Sequence, residues 1–272
     1  MATVLDLSSR QNSTFKQLRE IVSDSRTRRT LQKAWVEGRR LCEAAIRQSI
    51  LRKTRFDLVI REDTAIGAVI ETLGLAEHQA EESISHIYRL SQALFDEITQ
   101  VETAIGWGLV TPIPSPSLQP GDVVIIDRVQ DPGNLGALLR TAAAASVRQV
   151  WCLQGPTDPW SPKALRAGMG AHFAVSICDQ LEESEVLSVL QTWGTPCLAT
   201  ANDPKSQVLY ATTLPLETPC AWIFGQEGDG VSATLMARSQ LVRIPQSPDV
   251  ESLNVSHAAA VCLFEMQRRR QG

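Results

Sequence analysis

Short apolar runs recur through the second half of the chain and constrain its fold more than any other feature. There are six of them, and five are separated by segments with a helical pattern. Near-continuous apolar strands of this length are typical of a parallel sheet covered by helices on both faces. The runs occupy residues 122–126, 149–153, 173–177, 196–200, 221–224 and 241–244.

A proline-rich segment divides the chain. Residues 111–121 contain four prolines, which neither a helix nor a central strand tolerates at this density. We therefore expect a small α/β domain at 1–111, a linker at 112–120 and a second domain at 121–272. Before the linker, the pattern predicts helices at 39–49, 65–73 and 92–98 and strands at 56–60 and 104–110.

Composition excludes several classes of protein. No apolar run approaches the roughly 18 residues of a membrane span, and the N-terminus lacks the apolar core of a signal peptide. The six cysteines stand singly, with no C-x-x-C pair and no histidine at ligand spacing. We expect a cytoplasmic protein with buried thiols and no metal site.

Charge is unevenly distributed although the formal net charge is −4. Residues 10–61 contain fourteen lysines and arginines against five acids, whereas residues 62–102 contain nine acids and only Arg89. Such segregation is a candidate footprint for a phosphate backbone, and solvated helix faces are the simpler alternative. The candidate RNA-binding residues of the basic segment are Arg28, Arg29, Arg39 and Arg40.

Three polar, glycine-containing turns follow apolar runs of the second domain. In the first, Asp131-Pro132-Gly133-Asn134 predicts a turn and a helix start with Gly133 or Asn134 near the cap, and Arg140 lies under two turns further on. Taken alone, Asn134 is a cap and Arg140 a solvated cation. The ligand crevice of a parallel sheet lies beyond the carboxyl ends of its strands, so we expect all three turns to converge there.

The second turn, at residues 225–230, contains three glycines spaced G-x-x-G-x-G. Glycines allow positive φ and close approach of the backbone to a ligand, although a tight strand-to-helix turn has the same composition. The spacing excludes the dinucleotide fingerprint G-x-G-x-x-G.

The third turn is the most specific of the three. Ile244-Pro245 ends a strand, and residues 252–256, of sequence SLNVS, open a helix. That helix has one apolar face, formed by Val255, Ala259, Cys262, Leu263 and Met266. A helix cap accounts for one of Ser252, Asn254 and Ser256 but not for all three.

Together the motifs D-P-x-N-x-G-x-x-x-R, G-x-E-G-x-G, I-P and S-L-N-V-S resemble those of the SpoU (TrmH-like) family of SPOUT S-adenosylmethionine-dependent RNA ribose 2′-O-methyltransferases. The resemblance covers about residues 121–267. The N-terminal region, through residues 34–46 and its basic charge, is similar to the small RNA-binding domain of the members that act on rRNA.

The resemblance implies a fold and a site. It implies an α/β SPOUT domain with a parallel sheet and a deep trefoil knot, an RNA partner, homodimerisation through the C-terminal domain and S-adenosylmethionine as cofactor. The apolar face of the last helix is consistent with such a dimer. Cofactor-binding positions are Thr200, Gly225, Ile244 and Leu253, and the polar active-site positions are Asn134, Arg140, Glu227, Ser252 and Asn254.

The chemistry then required is attack of a ribose 2′-hydroxyl on a sulfonium methyl group. A guanidinium stays protonated in essentially any protein site, so we assign Arg140 to the RNA phosphate beside the target ribose rather than to proton removal. Asn134 orients the hydroxyl, while Glu227, Ser252 and Asn254 fix the geometry.

One position departs from the family pattern. Gly168 stands where the family usually has serine, which removes any role for a hydroxyl there. Ribosomal RNA is the expected substrate, with tRNA as an alternative. A non-catalytic RNA-binding or ribosome-assembly protein of the same fold is the alternative from another class, and the retained Asn134, Arg140 and Glu227 weigh against it.

Overall fold

The computed structural model describes residues 2–155, 157–249 and 252–271. The chain forms two compact units, one built from Met1–Pro114 and Trp160–Phe173 and the other from Ser115–Pro159 and Ala174–Gly272. Both units combine helices with a sheet, in agreement with the predicted α/β class.

The first unit has a five-stranded sheet of order β1-β4-β3-β5-β2, in which β1, β4 and β3 are parallel and β5 pairs antiparallel with β3 and β2. Its strands are β1 (Thr3–Leu7), β2 (Lys33–Glu37), β3 (Phe56–Arg61), β4 (Ile84–Leu90) and β5 (Trp107–Pro112). Its helices are α1 (Ser13–Ser23), α2 (Ser25–Leu31), α3 (Arg39–Arg52), α4 (Ile66–Thr72), α5 (Glu77–Ser83) and α6 (Gln92–Ile98).

All five elements predicted before the linker are present, with boundary shifts of a few residues. Six elements of the first unit were not predicted, namely β1, β2, β4, α1, α2 and α5. Among them, β1 includes only one buried side chain. The fifth strand continues through Pro112, and the Ile113 amide donates to the Gln32 carbonyl, so regular structure reaches into the predicted linker. The described residues 115–120 contain no helix or strand.

The second unit has a seven-stranded sheet of order β10-β12-β9-β11-β6-β7-β8, and every pairing in it is parallel, as predicted. Its strands are β6 (Val123–Asp127), β7 (Gln149–Leu153), β8 (Ser176–Leu181), β9 (Cys197–Thr200), β10 (Gln207–Val208), β11 (Ala221–Gly225) and β12 (Gln240–Arg243). The later helices are α7 (Pro132–Ala144), α8 (Pro162–Gly168), α9 (Glu183–Trp193), α10 (Ala233–Met236) and α11 (Val255–Gln271).

Each of the six apolar runs overlaps one strand of this sheet, and the seventh strand, β10, was not predicted. The run at 173–177 is displaced, because Phe173 belongs to a 3-10 turn (Ala171–Phe173) and β8 begins only at Ser176. The central strand β11 is buried along its whole length, as expected for a strand covered on both faces.

Helix α8 and the 3-10 turn pack with the first unit although they follow β7 in the chain. Gly170 lies so close to Ala44 of α3 that an added Cβ would be 2.8 Å from the alanine methyl group. Gly168, where a serine was expected, is buried in the last turn of α8.

Helix α11 packs against α7, and the five apolar residues predicted for its inner face are all buried. This corrects one inference: the apolar face is covered within the chain and is therefore no argument for a dimer.

The last turn of α11 also holds the segment 209–218. The Arg269 guanidinium donates to the carbonyls of Leu209 and Ala211, and that of Arg270 donates to those of Leu216 and Thr218. Backbone carbonyls of an irregular segment are thereby satisfied by side chains of a helix.

No helix among the described residues is both long and apolar enough to cross a membrane.

Candidate active site

The carboxyl ends of β9, β11 and β12 open into one cleft of about 640 Å³ together with the start of α11. This is the edge of the sheet at which the three polar turns were expected to converge. The lining residues are Thr200, Ala201, Asn202, Asp203, Gly225, Gln226, Glu227, Gly228, Asp229, Gly230, Val231, Met236, Val242, Ile244, Gln246, Ser252, Leu253, Asn254, Val255 and Ala258.

All four predicted cofactor-binding residues, Thr200, Gly225, Ile244 and Leu253, line this cleft. Thr200, Gly225 and Ile244 lie at the ends of β9, β11 and β12, which adjoin because β11 and β12 both pair with β9, and Leu253 precedes α11. The Thr200 hydroxyl donates to the Ile223 carbonyl at 3.2 Å, which ties the end of β9 to β11. Its backbone groups therefore remain the part of Thr200 suited to a ligand.

The glycine turn after β11 folds back on itself. A Cβ on Gly225 would lie 2.0 Å from the Gly230 carbonyl carbon, so only glycine fits there without a shift of the backbone. The Gly230 amide donates to the Gln226 carbonyl at 3.1 Å, and Gly230 has a φ of +71°. By contrast, a Cβ on Gly228 would have nothing within 4 Å. The turn thus presents backbone groups to the cleft with little side-chain bulk.

Asp131, rather than Gly133 or Asn134, caps α7, because its side chain accepts from the Asn134 amide at 3.0 Å. The cap leaves the Asn134 side chain free for other partners. Its Nδ2 donates to Glu227 Oε1 at 2.7 Å, and its Oδ1 accepts from Asn254 Nδ2 at 3.0 Å. Asn134 is therefore a link between the second and third turns and not a helix cap.

Glu227 stays an ionised carboxylate in this network. Burial raises the pKa of Glu227, but hydrogen bonds from the Asn134 side chain and from the backbone amides of Glu227 itself, Gln130 and Asp131 outweigh it, so the pKa is lowered. A carboxylate with a low pKa accepts hydrogen bonds and is a poor proton donor or acceptor near neutral pH.

Asn254 completes the chain of hydrogen bonds on the far side. Its Oδ1 accepts from the Ser256 amide at 2.9 Å and from the Ser256 hydroxyl at 2.6 Å, which is how a residue at a helix start satisfies the first free amides. The Asn254 side chain thus accepts hydrogen bonds at the start of α11 and also donates one to Asn134. Ser252 lines the cleft with its side chain exposed.

Arg140 lies apart from these residues. It is exposed on α7, is not among the residues that line the cleft, and makes no hydrogen bond or ion pair with the part of the chain that the structure describes. Of the other four predicted polar residues, Glu227, Ser252 and Asn254 line the cleft. Asn134 is not a lining residue, but it is hydrogen-bonded to Glu227 and Asn254.

The four predicted RNA-binding arginines differ in exposure. Arg28 does not fit that role, because its guanidinium is buried and donates to the carbonyls of Ile21 and Val22 at the end of α1. Arg29 is half-buried. Arg39 is exposed and paired with Glu43 at 2.8 Å, and Arg40 is exposed on the same helix.

Two residues that sequence reasoning missed support the first turn. Asp127, at the end of β6, is fully buried and accepts from the Ser232 amide at 2.6 Å and from two nitrogens of Arg128. Gln130 donates from Nε2 to Gln226 Oε1 at 2.8 Å, a second link between the first two turns. The signal available in the sequence was an aspartate at the end of an apolar run, where burial demands partners.

Neither metal chemistry nor cysteine chemistry is indicated. Among the described residues no three His, Cys, Asp or Glu side chains are grouped to hold a metal ion. All six cysteines are free, and four are buried, as predicted; Cys178 and Cys197 are half-buried. Burial raises the pKa of each thiol, to about 12 for Cys220, so the thiols are poor nucleophiles.

Comparison with known families and sequences gives consistent matches. Residues 122–264 match the model of the SpoU rRNA Methylase family. A Synechocystis protein described as an uncharacterized tRNA/rRNA methyltransferase is 30% identical over 98% of this chain and 95% of its own length. A Bacillus subtilis protein named 23S rRNA (guanosine(2553)-2′-O)-methyltransferase is 31% identical over 85% of this chain and 87% of its own.

Solved structures show the same fold over nearly the whole chain. A putative RNA methyltransferase of the TrmH family from Porphyromonas gingivalis superposes with a TM-score of 0.77 at 28% identity, covering 96% of this chain and 100% of that one. An AdoMet-bound rRNA methyltransferase from Sinorhizobium meliloti gives a TM-score of 0.78 at 24% identity, covering 98% of each chain.

Proposed function

The chain belongs to the SpoU rRNA methylase family, and we propose that it transfers a methyl group from S-adenosylmethionine to the 2′-hydroxyl of a ribose in ribosomal RNA. The single observation that carries the proposal beyond family membership is the chain of hydrogen bonds from Asn254 through Asn134 to Glu227 at the cleft. These hydrogen bonds join the turn after β6, the turn after β11 and the start of α11. A site that positions a reacting group requires such a fixed arrangement of polar side chains.

The cleft fits the cofactor in size and in chemistry. Its volume of about 640 Å³ falls in the range of small-molecule sites, and the turn at Gly225–Gly230 offers backbone donors and acceptors for an adenine. Ionised Glu227 beside the cleft favours a cationic sulfonium over a neutral ligand. When bound, S-adenosylmethionine supplies an electrophilic methyl group.

Asn134 is the residue we assign to the ribose hydroxyl. An amide oxygen has two lone pairs, and Asn254 occupies one of them, so the other can accept from the 2′-hydroxyl. The bond from Asn134 to Glu227 fixes which side of the amide is the oxygen. Asn134 therefore orients the nucleophile, while Glu227 and Asn254 orient Asn134, and Ser252 lies at the same cleft.

Arg140 is assigned to the phosphate beside the target ribose. It is exposed, six residues beyond Asn134 on α7, and its planar fork matches a phosphate. The proton of the 2′-hydroxyl is not assigned to the guanidinium, because a group that stays protonated is not a base at neutral pH.

The remaining parts of the proposal follow the family. Arg29, Arg39 and Arg40 are proposed to contact RNA through the first unit, the C-terminal unit is proposed to be knotted and to dimerise, and the cytoplasm is the proposed compartment. Transfer RNA is the second candidate substrate, because the description of the Synechocystis relative includes both RNA classes.

Methyl transfer from labelled S-adenosylmethionine tests the proposal. Purified protein is incubated with ribosomal RNA and, separately, with transfer RNA, and 2′-O-methylated positions are then mapped. We expect label in ribosomal RNA at one ribose, and loss of it in the Asn134→Ala and Arg140→Ala variants. Equal labelling by wild type and both variants would remove these residues from the mechanism. Cofactor binding without any transfer would favour the non-catalytic RNA-binding alternative.

A further inference from the structure

Two aromatic rings stack on the sheet of the first unit, far in sequence from every motif of the cleft. His86 and Tyr88 are alternate residues of β4, so both side chains project from the same face. Their ring centroids are 5.7 Å apart and their planes differ by 15°. Tyr88 packs on the core of the unit, whereas the His86 side chain is 48% exposed. With one ring face against Tyr88, His86 is exposed mainly on its other face and its edge.

A buried carboxylate fixes the orientation of the outer ring. Asp57 Oδ1 lies 2.9 Å from His86 Nδ1, and the side chain of Asp57 is only 7% exposed. Nδ1 of His86 faces this carboxylate, so Nε2 is the ring nitrogen turned away from Asp57. Lys33 Nζ lies 3.0 Å from Asp57 Oδ2 with its side chain 39% exposed, so a cation stands beside the rings.

The neighbouring strand extends this surface. Parallel pairing of β1 with β4 places Leu5 beside Tyr88 and Thr3 beside His86, and Leu5 is exposed although it is apolar. We call these residues the ring platform: Leu5, Lys33, Asp57, His86 and Tyr88. An exposed aromatic ring on a sheet, with a cation at its side, is the arrangement by which proteins stack unpaired nucleobases.

We propose that the ring platform binds one unpaired nucleotide of RNA, whose base stacks on the imidazole of His86 while its phosphate contacts Lys33. The inference rests on the proposed function, which makes RNA the macromolecule at hand. Lys33 belongs to the basic segment 10–61, whereas His86 and Tyr88 belong to the acidic segment 62–102, so the cationic contact at the platform is Lys33 itself and not a basic segment. A base inside a duplex has both faces covered, so the platform selects single-stranded RNA.

Equilibrium binding of RNA to the full-length protein, without cofactor, tests the platform. The probe is a fluorescein-labelled single-stranded RNA of about 20 nucleotides, and the comparison is a duplex of the same sequence. We expect His86→Ala to weaken single-strand binding about five- to a hundredfold, the range for losing one stacked base. Duplex binding should change less than about twofold, because phosphate contacts dominate it.

Two further variants keep the result interpretable. His86→Phe retains a stacking ring and should restore most of the affinity, which a folding defect in His86→Ala would not explain. His78→Ala removes an exposed histidine of α5 in the same unit and should leave the affinity unchanged. Equal affinities of wild type and His86→Ala, equal losses on both RNAs, or no measurable binding by wild type would each overturn the proposal.

The platform and the proposed reaction fail in different ways. Binding that depends on His86 without any methyl transfer to ribosomal RNA would remove the reaction and leave the platform. Methyl transfer together with an affinity for single-stranded RNA that is unchanged in His86→Ala would support the reaction and overturn the platform.

Discussion

Asn134 and Glu227 are joined by a side-chain hydrogen bond of 2.7 Å across 93 residues of sequence. The bond brings the turn after β6 to the turn after β11, and a second bond from Asn254 to Asn134 adds the start of α11. The polar side of the cleft is therefore held by amide and carboxylate groups whose geometry depends on the sheet.

Replacement of Asp131 and Asn134 by alanine should separate folding from function. Asp131→Ala removes the cap of α7 and should lower the free energy of unfolding by about 1 kcal/mol. Asn134→Ala should leave stability nearly unchanged and reduce kcat roughly 100-fold, because it removes a positioning contact. Urea unfolding and single-turnover methyl transfer measure the two effects. An Asn134→Ala protein as destabilised as Asp131→Ala would return Asn134 to a structural role.

Two glycines of the second turn should differ sharply in their tolerance of alanine. Gly225→Ala places a methyl group 2.0 Å from the Gly230 carbonyl carbon, so the turn must move and cofactor affinity should be lost. Gly228→Ala meets nothing within 4 Å and should keep the melting temperature, with any loss confined to cofactor binding. Calorimetric titration with S-adenosylmethionine and thermal unfolding test the pair. Equal melting temperatures and affinities for both variants would contradict the close approach.

Glu227 should impose no pH dependence near neutrality. Its pKa is lowered from the ordinary 4.5, so it remains charged throughout the neutral range, and its contribution is lost only as the pH falls below that value. Glu227→Gln should reduce kcat at all of these pH values, because the amide replaces one accepting oxygen by a donor. The pH–rate profiles of wild type and variant provide the measurement. An acidic limb near pH 6 that disappears in the variant would make Glu227 a proton carrier instead.

The C-terminal helix should contribute acid-sensitive stability through Glu265. Hydrogen bonds from Arg268, opposed by burial and reinforced by Arg269, lower the pKa of Glu265 from 4.5 to about 2. A folded-state pKa below the unfolded one stabilises the protein above about pH 4.5, and this contribution disappears as the pH falls towards 2.

Glu265→Gln should therefore be less stable than wild type at pH 7, and the difference should shrink as the pH falls below 4.5. Denaturant unfolding over this pH range measures it, with Glu20→Gln on the exposed face of α1 as the matched control. A difference that stays constant down to pH 3 would contradict the assignment.

Arg28 and Arg40 were both predicted to bind RNA, but their replacement should have different effects. Arg28→Ala removes two charged hydrogen bonds to the end of α1 and should cost about 1.5–3 kcal/mol of unfolding free energy for each buried contact that is not replaced. Arg40→Ala should change stability by less than about 0.5 kcal/mol. Because Arg40 is proposed to contact RNA, the Arg40→Ala variant should also show a weaker salt dependence. The slope of log affinity against log salt concentration should decrease by roughly one.

The pair is measured by unfolding and by RNA titration at several salt concentrations. An Arg40→Ala protein with an unchanged salt slope would remove Arg40 from the RNA surface.

The sequence predicted the sheet and the composition of the cleft for a physical reason. Fully buried parallel strands such as β11 are apolar throughout, and the turns at their carboxyl ends are polar. The sequence therefore shows apolar runs that are followed by polar turns, and these can be recognised without the structure. The assignment of Thr200, Gly225, Ile244 and Leu253 to the cofactor came instead from the family resemblance, and all four line the cleft.

The hydrogen-bond partners of individual side chains could not be predicted in this way. Asp131 followed by Pro132 is a local cap signal, although the sequence prediction placed Gly133 or Asn134 near the cap. Nothing local indicates the partners of the Asn134 side chain, which lie 93 and 120 residues away. Arg28 carries the same charge as Arg40, yet its burial depends on how α2 folds against α1. Charge is readable from composition, whereas exposure is a property of the tertiary fold.

The return of Trp160–Phe173 to the first unit has a practical consequence for engineering. The chain passes between units at 114–115, at 159–160 and again at 173–174, so no single cut releases either unit intact. A chimera that exchanges residues 1–114 for those of a relative would leave the original residues 160–173 against a foreign α3, where a Cβ on Gly170 would already lie 2.8 Å from the methyl group of Ala44. Transplanting the first unit of this protein therefore requires moving both pieces as one graft.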